Sequence, residues 1–331
     1  MSKKILITGG TGFIGHHFVD YVLRNTDWSI TLLERLSFSG NLNRIAELES
    51  YRIDPSRIRV VCHDLRWAVN QLVAGDLGDP NYIVHFAAST HVDRAIVEPT
   101  PFYWDNVVGT SNLIEYAKKL KNLELFINFS TDEVYGPAPI GVYHKEGDPF
   151  NPTNDYSASK VGQEMAGKAA WNTHKLPIVN THTMNNFGER QHPEKFLPKT
   201  ITKILAGEPM PIYGTVENGI VKEMGSRVWM YAQNTADALY FLLKNGKPGE
   251  EYNIIGNDEY DILTLATMVA EIIGKPLIPE YVGFYGVRPG HDRRYALNGD
   301  KMKRMGWVSP TNFKEALEKT VRFTVQNKQW A

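Results

Sequence analysis

The stretch KKILITGGTGFIG, residues 3–15, decides the fold. Lys3–Thr8 is a short apolar run that ends in glycine, the pattern of a parallel strand buried on both faces. Gly9, Gly12 and Gly15 follow at three-residue intervals. Beyond them Ile14, Phe18, Tyr21 and Val22 recur at helical spacing and predict an amphipathic helix to about Arg24. Glycine permits a tight turn, close approach of backbone to a pyrophosphate, and close packing of helix on strand. The helix N-terminus adds unpaired N–H groups and a favourable dipole for phosphate. An acid, Glu34, closes the next strand pattern, Ser29–Glu34, about 20 residues on, where a dinucleotide-binding fold places its ribose carboxylate. A carboxylate there repels a 2′-phosphate and favours NAD over NADP, whereas Arg35 beside it is a group able to accept that phosphate.

Working outward, strands are expected at Ile58–Asp64, Tyr82–Ala88, Leu123–Ser130 and Pro177–Thr183, with helices at Asp105–Leu120 and Tyr156–His174. Strands alternating with helices imply an α/β fold with a doubly wound parallel Rossmann sheet. After Asn185 the rhythm breaks, and Pro193, Pro198, Pro209, Pro211 and Gly214 crowd a short span. A smaller α/β substrate domain interleaved with the sheet is expected there. Val228–Lys244 reads as a strand and helix returning to the large domain. The expected division is residues 1–183 and 225–252 for the cofactor, and 184–224 and 253–331 for the substrate.

The bulk properties exclude several classes. Lys plus Arg number 36 against 37 Asp plus Glu, so no basic field points to nucleic acid or an anionic membrane. No apolar run approaches the ~18 residues of a membrane span. The single cysteine, Cys62, offers neither an internal disulfide nor a zinc framework. The opening MSKKILITGG has no signal-peptide core, so a cytoplasmic protein is expected.

Two further motifs carry chemistry. FSTDEVYG, Phe129–Gly136, sets Thr131, Asp132 and Glu133 at the end of a buried strand. YSASK puts Tyr156 and Lys160 four residues apart, on one helical face. A free tyrosine has a pKa of about 10, and a neighbouring ammonium lowers it toward that of a usable base. Asp64, ending the third strand, either reaches the adenine or caps the strand end.

These residues resemble the extended short-chain dehydrogenase/reductase family, within it most closely the dTDP-glucose 4,6-dehydratases. The narrower likeness rests on AASTHVDR (Ala87–Arg94), STDEVYG (Ser130–Gly136), NNFG (Asn185–Gly188), HPEKFLP (His192–Pro198), PIYG (Pro211–Gly214) and RPGHDRRY (Arg288–Tyr295), in the family's order. The resemblance implies NAD that is borrowed and returned, with Tyr156, Lys160 and Thr131 serving the oxidation at C4 of a sugar. It makes Glu133 the base at C5 and Asp132 the acid at the departing 6-hydroxyl. It places Phe13, Ile14, Glu34, Arg35, Leu36, Ser37, Asp64, Leu65, Phe86, Ala87, Ala88 and Asn186 against NAD. Thr90, Asn185, Lys195, Phe196, Pro211, Tyr213, Arg227, Arg288 and His291 fall against a nucleotide-diphosphate hexose. Guanidinium forks at Arg227 and Arg288 suit a diphosphate; surface ion pairing is the alternative use.

The chain also departs from the family pattern. Glu34 replaces an aspartate, and AASTH replaces Ala-Ala-Glu-Ser-His. NTHTMNNFGER places His182 and Met184 near the nicotinamide, residues 215–226 form a longer loop, and Asp261 stands where an asparagine meets the nucleotide. The alternatives on this scaffold are a C4 epimerase, a UDP-glucuronate decarboxylase or, outside enzymes, an NAD-binding regulator. The resemblance also implies a homodimer through helices near Asp105–Leu120 and Tyr156–His174; Val107, Val108, Ile114 and Ala117 either supply that face or pack on their own sheet.

Overall fold

The computed structural model describes residues 2–217, 220–283 and 294–330. The six expected strands are present as β1 (Lys4–Thr8), β2 (Ser29–Glu34), β3 (Ile58–Cys62), β4 (Tyr82–His85), β5 (Leu125–Thr131) and β6 (Ile178–Thr183). They are followed by β7 (Asn185–Phe187), β8 (Met210–Glu217), β9 (Ile220–Met224), β10 (Ser226–Tyr231) and β11 (Glu251–Ile254). The last are β12 (Glu259–Asp261), β13 (Pro279–Gly283) and β14 (Arg294–Tyr295). One sheet runs in the order β11-β6-β5-β4-β1-β2-β3, with every pairing parallel. Strand order reverses between β1 and β4, and the carboxyl ends of strands at such a switch point flank a ligand crevice. The Rossmann expectation is met.

Both faces of this sheet are covered, as a parallel sheet requires. Ile5 and Ile7 join one core with Phe18 and Val22 of helix Phe13–Asn25 and Leu239 and Leu242 of helix Ala232–Asn245. Leu6 points the other way and joins Leu113, Ile114 and Ala117 of helix Gly109–Ala117 and Phe126 of β5. Ile114 and Ala117 therefore pack on their own sheet. That helix starts earlier than expected, as Thr100–Tyr103, and passes through a π-turn at Trp104–Val108. Such turns insert an extra residue and re-aim side chains; here they aim Asp105 and Asn106 at the cleft loops, where Arg35 and Ser89 meet them.

The second unit has two small sheets. In one, β10 pairs with β12, β14 and β7; in the other, β8 pairs with β9 and β13. The expected long loop at 215–226 is thus a β8–β9 hairpin. The strand at Val228 does not return to the large sheet. Its residues alternate between two interiors: Val228 and Met230 face the first core, while Trp229 and Tyr231 face a third with Phe187, Leu197, Leu265 and Phe313. A strand buried on both faces reads as an unbroken apolar run, indistinguishable in sequence from a central strand of the large sheet. The strand that does return is β11, beside β6.

Gly15 permits the contact between first helix and first strand, since a Cβ there would stand 2.2 Å from the Gly9 carbonyl oxygen. Gly15→Ala is expected to cost about 1–3 kcal/mol or more through overpacking, read as a lower denaturant midpoint; an unchanged midpoint would refute this.

Candidate active site

The glycine turn is built for close approach. Gly9 has φ 69°, and a Cβ on it would meet the Ala87 nitrogen at 2.8 Å. Gly12 caps the helix Phe13–Asn25 without a side chain, leaving the first N–H groups open toward the cleft. The residues therefore fit a dinucleotide diphosphate. Glu34 is buried at 4% exposure. It accepts from the Thr11 backbone N–H at 3.0 Å and the Thr11 hydroxyl at 2.8 Å. Burial raises its pKa, and the Thr11 bonds oppose the rise. A Gly10 backbone bond opposes the rise as well, and these three bonds leave the carboxylate, with about four acceptor sites, room for a ribose hydroxyl.

Arg35 donates to both oxygens of Asp105, at 2.7 and 3.0 Å, and lies 3.6 Å from Asp64. Its fork is committed to acids, which argues against its accepting a 2′-phosphate. Asp64 accepts from the Arg66 N–H at 3.0 Å and also lines the cavity.

Strand β5 is buried throughout and ends on the acid pair. The Thr131 hydroxyl donates to Asp132 Oδ1 at 3.0 Å. Asp132 is 3% exposed, and its Oδ2 has no protein partner. Burial, reinforced by the Glu133 charge, pushes the Asp132 pKa up to about 7. Glu133 Oε2 accepts from the Tyr295 hydroxyl at 3.3 Å. Of two adjacent carboxyls, Asp132 thus sits where burial favours its protonated form, the state a general acid needs.

The tyrosine–lysine pair is in place but not as expected electrostatically. Burial and then Glu133 raise the Tyr156 pKa, while a hydrogen bond with Thr131 opposes the rise. Lys160 does not lower it. Its ammonium donates to the Phe129 carbonyl at 2.8 Å and to Gln163, and burial lowers its own pKa to about 7. Behind it lies a buried network unforeseen in sequence. Glu164 accepts from Ser130 and from His182 Nε2 at 2.9 Å, and His182 Nδ1 faces Asn253 at 2.9 Å. Burial opposes a charge on His182, but Glu164 outweighs it and raises the pKa. His182 is consequently a support beneath β5 and β6, not a residue at the cleft, whereas Met184 does line it.

Three adjoining cavities collect the expected residues. The first, at the ends of β1–β4, is lined by Gly9, Gly12, Glu34, Arg35, Leu36, Ser37, Asp64, Leu65, Phe86, Ala87 and Ala88. The second, about 290 Å³, is lined by Phe13, Ile14, Gly15, Thr131, Asp132, Tyr156, Lys160 and Asn186. The third, about 250 Å³, is lined by Pro211, Tyr213 and Arg227. Thr90, Glu133, Asn185, Lys195 and Phe196 line both the second and the third, making one continuous cleft. Arg227 Nη1 donates to the Ser226 carbonyl at 2.7 Å and its guanidinium stacks 4.8 Å from the Tyr295 ring. Asp261 is spent as a helix cap, accepting from Leu263 and Thr264 N–H. Arg288 and His291 lie outside the described residues. Sequence reasoning missed Thr11, Ser39, Arg44, Gln191, Trp229 and Tyr295, which also line or brace the cleft. Only Thr11, in the glycine turn, and Tyr295, at the end of RPGHDRRY, stood inside a recognisable motif.

A family model described as the NAD dependent epimerase/dehydratase family matches residues 5–254. The chain is 38% identical to the low-salt glycan biosynthesis protein Agl12 of Haloferax volcanii, over 96% of this chain and 97% of that one. It is 34% identical to the dTDP-glucose 4,6-dehydratase of Salmonella typhimurium, over 99% and 94%. Among solved structures, DesIV, the dTDP-glucose 4,6-dehydratase of Streptomyces venezuelae with NAD and TYD bound, superposes with a TM-score of 0.88 at 34% identity. That match covers 99% of this chain and 98% of the other.

The raised Asp132 pKa makes stability pH-dependent. Between the unfolded value of about 4 and the folded value of about 7, the unfolded chain releases a proton that the folded one keeps. Stability contributed by the protonated group is full below that window and is lost as pH rises through it. D132N is expected to flatten this part of the profile, read as urea midpoints at several pH values; an unaltered profile would show that Asp132 titrates normally.

Proposed function

Because this chain belongs to the NAD dependent epimerase/dehydratase family, we propose that it is a nucleotide-sugar 4,6-dehydratase. It takes dTDP-glucose or a related NDP-hexose such as UDP-glucose and forms the 4-keto-6-deoxy sugar with loss of water. One observation carries this reading: Asp132, protonated to about pH 7, stands beside Glu133 in the cleft that also holds Thr131, Tyr156 and Lys160.

Bound NAD supplies a hydride acceptor for C4, a donor for C6 and, while oxidised, a positive charge that favours a phenolate. Tyr156, helped by Thr131, takes the proton of the 4-hydroxyl. Lys160, on the same helical face as Tyr156, would hold the ribose of the bound cofactor. The 4-ketone acidifies the C5 proton, which Glu133 removes and returns to C5 when hydride reaches C6. Asp132 donates its proton to the 6-hydroxyl as water leaves. Elimination needs base and acid together on neighbouring carbons, and adjacent carboxyls, one of them with its pKa raised by burial, meet that need. Arg227 and Lys195, in the third cavity, supply positive charge for the nucleotide diphosphate. Burial holds the Lys195 pKa down, and the nearby Glu133 opposes that.

A cytoplasmic homodimer belongs to the same reading. Tyr103, Trp104 and Met165 are exposed apolar side chains on the Thr100–Ala117 and Asp155–His174 helices, and such a face suits a second copy of the chain. Light scattering is expected to give twice the 37.5 kDa chain mass; a monomer would remove the dimer from the proposal.

With dTDP-glucose or UDP-glucose carrying deuterium at C4, the label is expected at C6 of a 4-keto product without net NADH. A C4-epimerised or decarboxylated sugar would point to the alternative chemistries. E133Q is expected to slow turnover by about 10²–10⁴-fold and to suppress solvent exchange at C5 while NAD still binds. Undiminished turnover would remove Glu133 from the mechanism.

A further inference from the structure

Arg44 is a buried cation with no acid to balance it among the described residues. It lies on the short helix Asn43–Ala46 and is 2% exposed. Its Nη1 donates to the Thr11 carbonyl at 3.1 Å and the Ser39 carbonyl at 2.6 Å, and its Nε to the Arg190 carbonyl at 3.0 Å. The Trp330 ring lies 5.0 Å from the guanidinium. A guanidinium carries five N–H donors, so the two on Nη2 remain unspent on protein. Among the described residues no carboxylate pairs with it. The charge that acts on it is Arg190, of the same sign, and Arg190 has its own acid in Glu47 at 3.0 Å. Burial and Arg190 together push the Arg44 pKa down to about 10.

A buried charge without a counter-charge is costly unless another molecule completes it. The location says which. Thr11 belongs to the glycine turn, and Arg44 lines the cleft with Gly9, Gly12 and Ser39. Gln191 lines it too, 8% exposed, with Nε2 anchored on the Asn186 carbonyl at 2.9 Å and Oε1 without a protein partner. Because Nε2 is held by that carbonyl, the free end is an acceptor, which suits a ribose hydroxyl and leaves the phosphate to Arg44. The helix N-terminus offers a phosphate only partial charges, and Arg44 stands beside it with a whole one.

We propose that Arg44 is a further binding residue for the diphosphate of the dinucleotide, with Gln191 as its neutral neighbour. This rests on NAD as the cofactor, and the Nη2 donors that Arg44 keeps free suit a phosphate oxygen through a charge-assisted bond. The test is calorimetric titration of nucleotide-stripped full-length protein with NAD, ADP-ribose and adenosine, the last lacking the diphosphate. R44Q is expected to weaken NAD and ADP-ribose by at least about tenfold, the scale of a lost charge-assisted bond, while adenosine binding stays within about twofold. Equal losses for all three ligands, or no loss for NAD, would overturn the assignment. Should R44Q not fold, R44K serves the same comparison: a smaller preference for ADP-ribose over adenosine supports the proposal and an unchanged preference overturns it. Unaltered protein that binds neither NAD nor ADP-ribose would overturn the cofactor reading itself.

Discussion

Everything at the cleft is referred to one close contact, the backbone of Gly15 lying against the carbonyl of Gly9. Because neither position leaves room for a side chain, the helix Phe13–Asn25 sits almost on β1. Its N-terminal N–H groups then open at the switch point of the sheet. Gly9 makes a second close contact with the Ala87 backbone after β4, so the floor of the crevice is backbone on both sides. Side chains that decide affinity and chemistry must come from around this floor. Glu34 arrives from β2, Arg44 from the short helix Asn43–Ala46 beyond it, and the acids from the end of β5.

The acid pair illustrates how a fold sets protonation. β5 has no exposed residue, so whatever follows its last hydrogen-bonded position begins in a low-dielectric setting. Asp132 takes the buried place, where its pKa is raised, and Glu133 faces the Tyr295 hydroxyl in the shared part of the cleft. The two environments differ by one step along the backbone. Beneath them, Glu164 and His182 neutralise each other inside the sheet and tie Ser130 to β6, so the strand delivering the acids has little freedom to shift.

Much of the fold was legible because its signals are local. Apolar runs, glycine spacing and an acid at the end of β2 report strand, turn and nucleotide without reference to distant residues. The acid pair and the Tyr156–Lys160 pair were legible for the same reason, each lying within a few residues. What escaped were relations between distant segments. Arg44 meets Thr11 across 33 positions and Arg190 across 146, and nothing in NRIA announces it. The ammonium of Lys160 was expected to act on Tyr156, its helical neighbour, but a carbonyl of β5 and a glutamine one turn on claim it instead. Strand β10 misled because burial on two sides looks alike whichever sheets provide the burial.

That two-sided strand has a mechanical consequence. Val228 and Met230 are fixed in the interior of the large sheet's unit, and Trp229 and Tyr231 in that of the smaller one. Neither interior can loosen without exposing alternate side chains of the same six-residue segment. The two sheets are therefore coupled like floors sharing a beam, and heat is expected to melt them in a single cooperative transition instead of peeling one from the other.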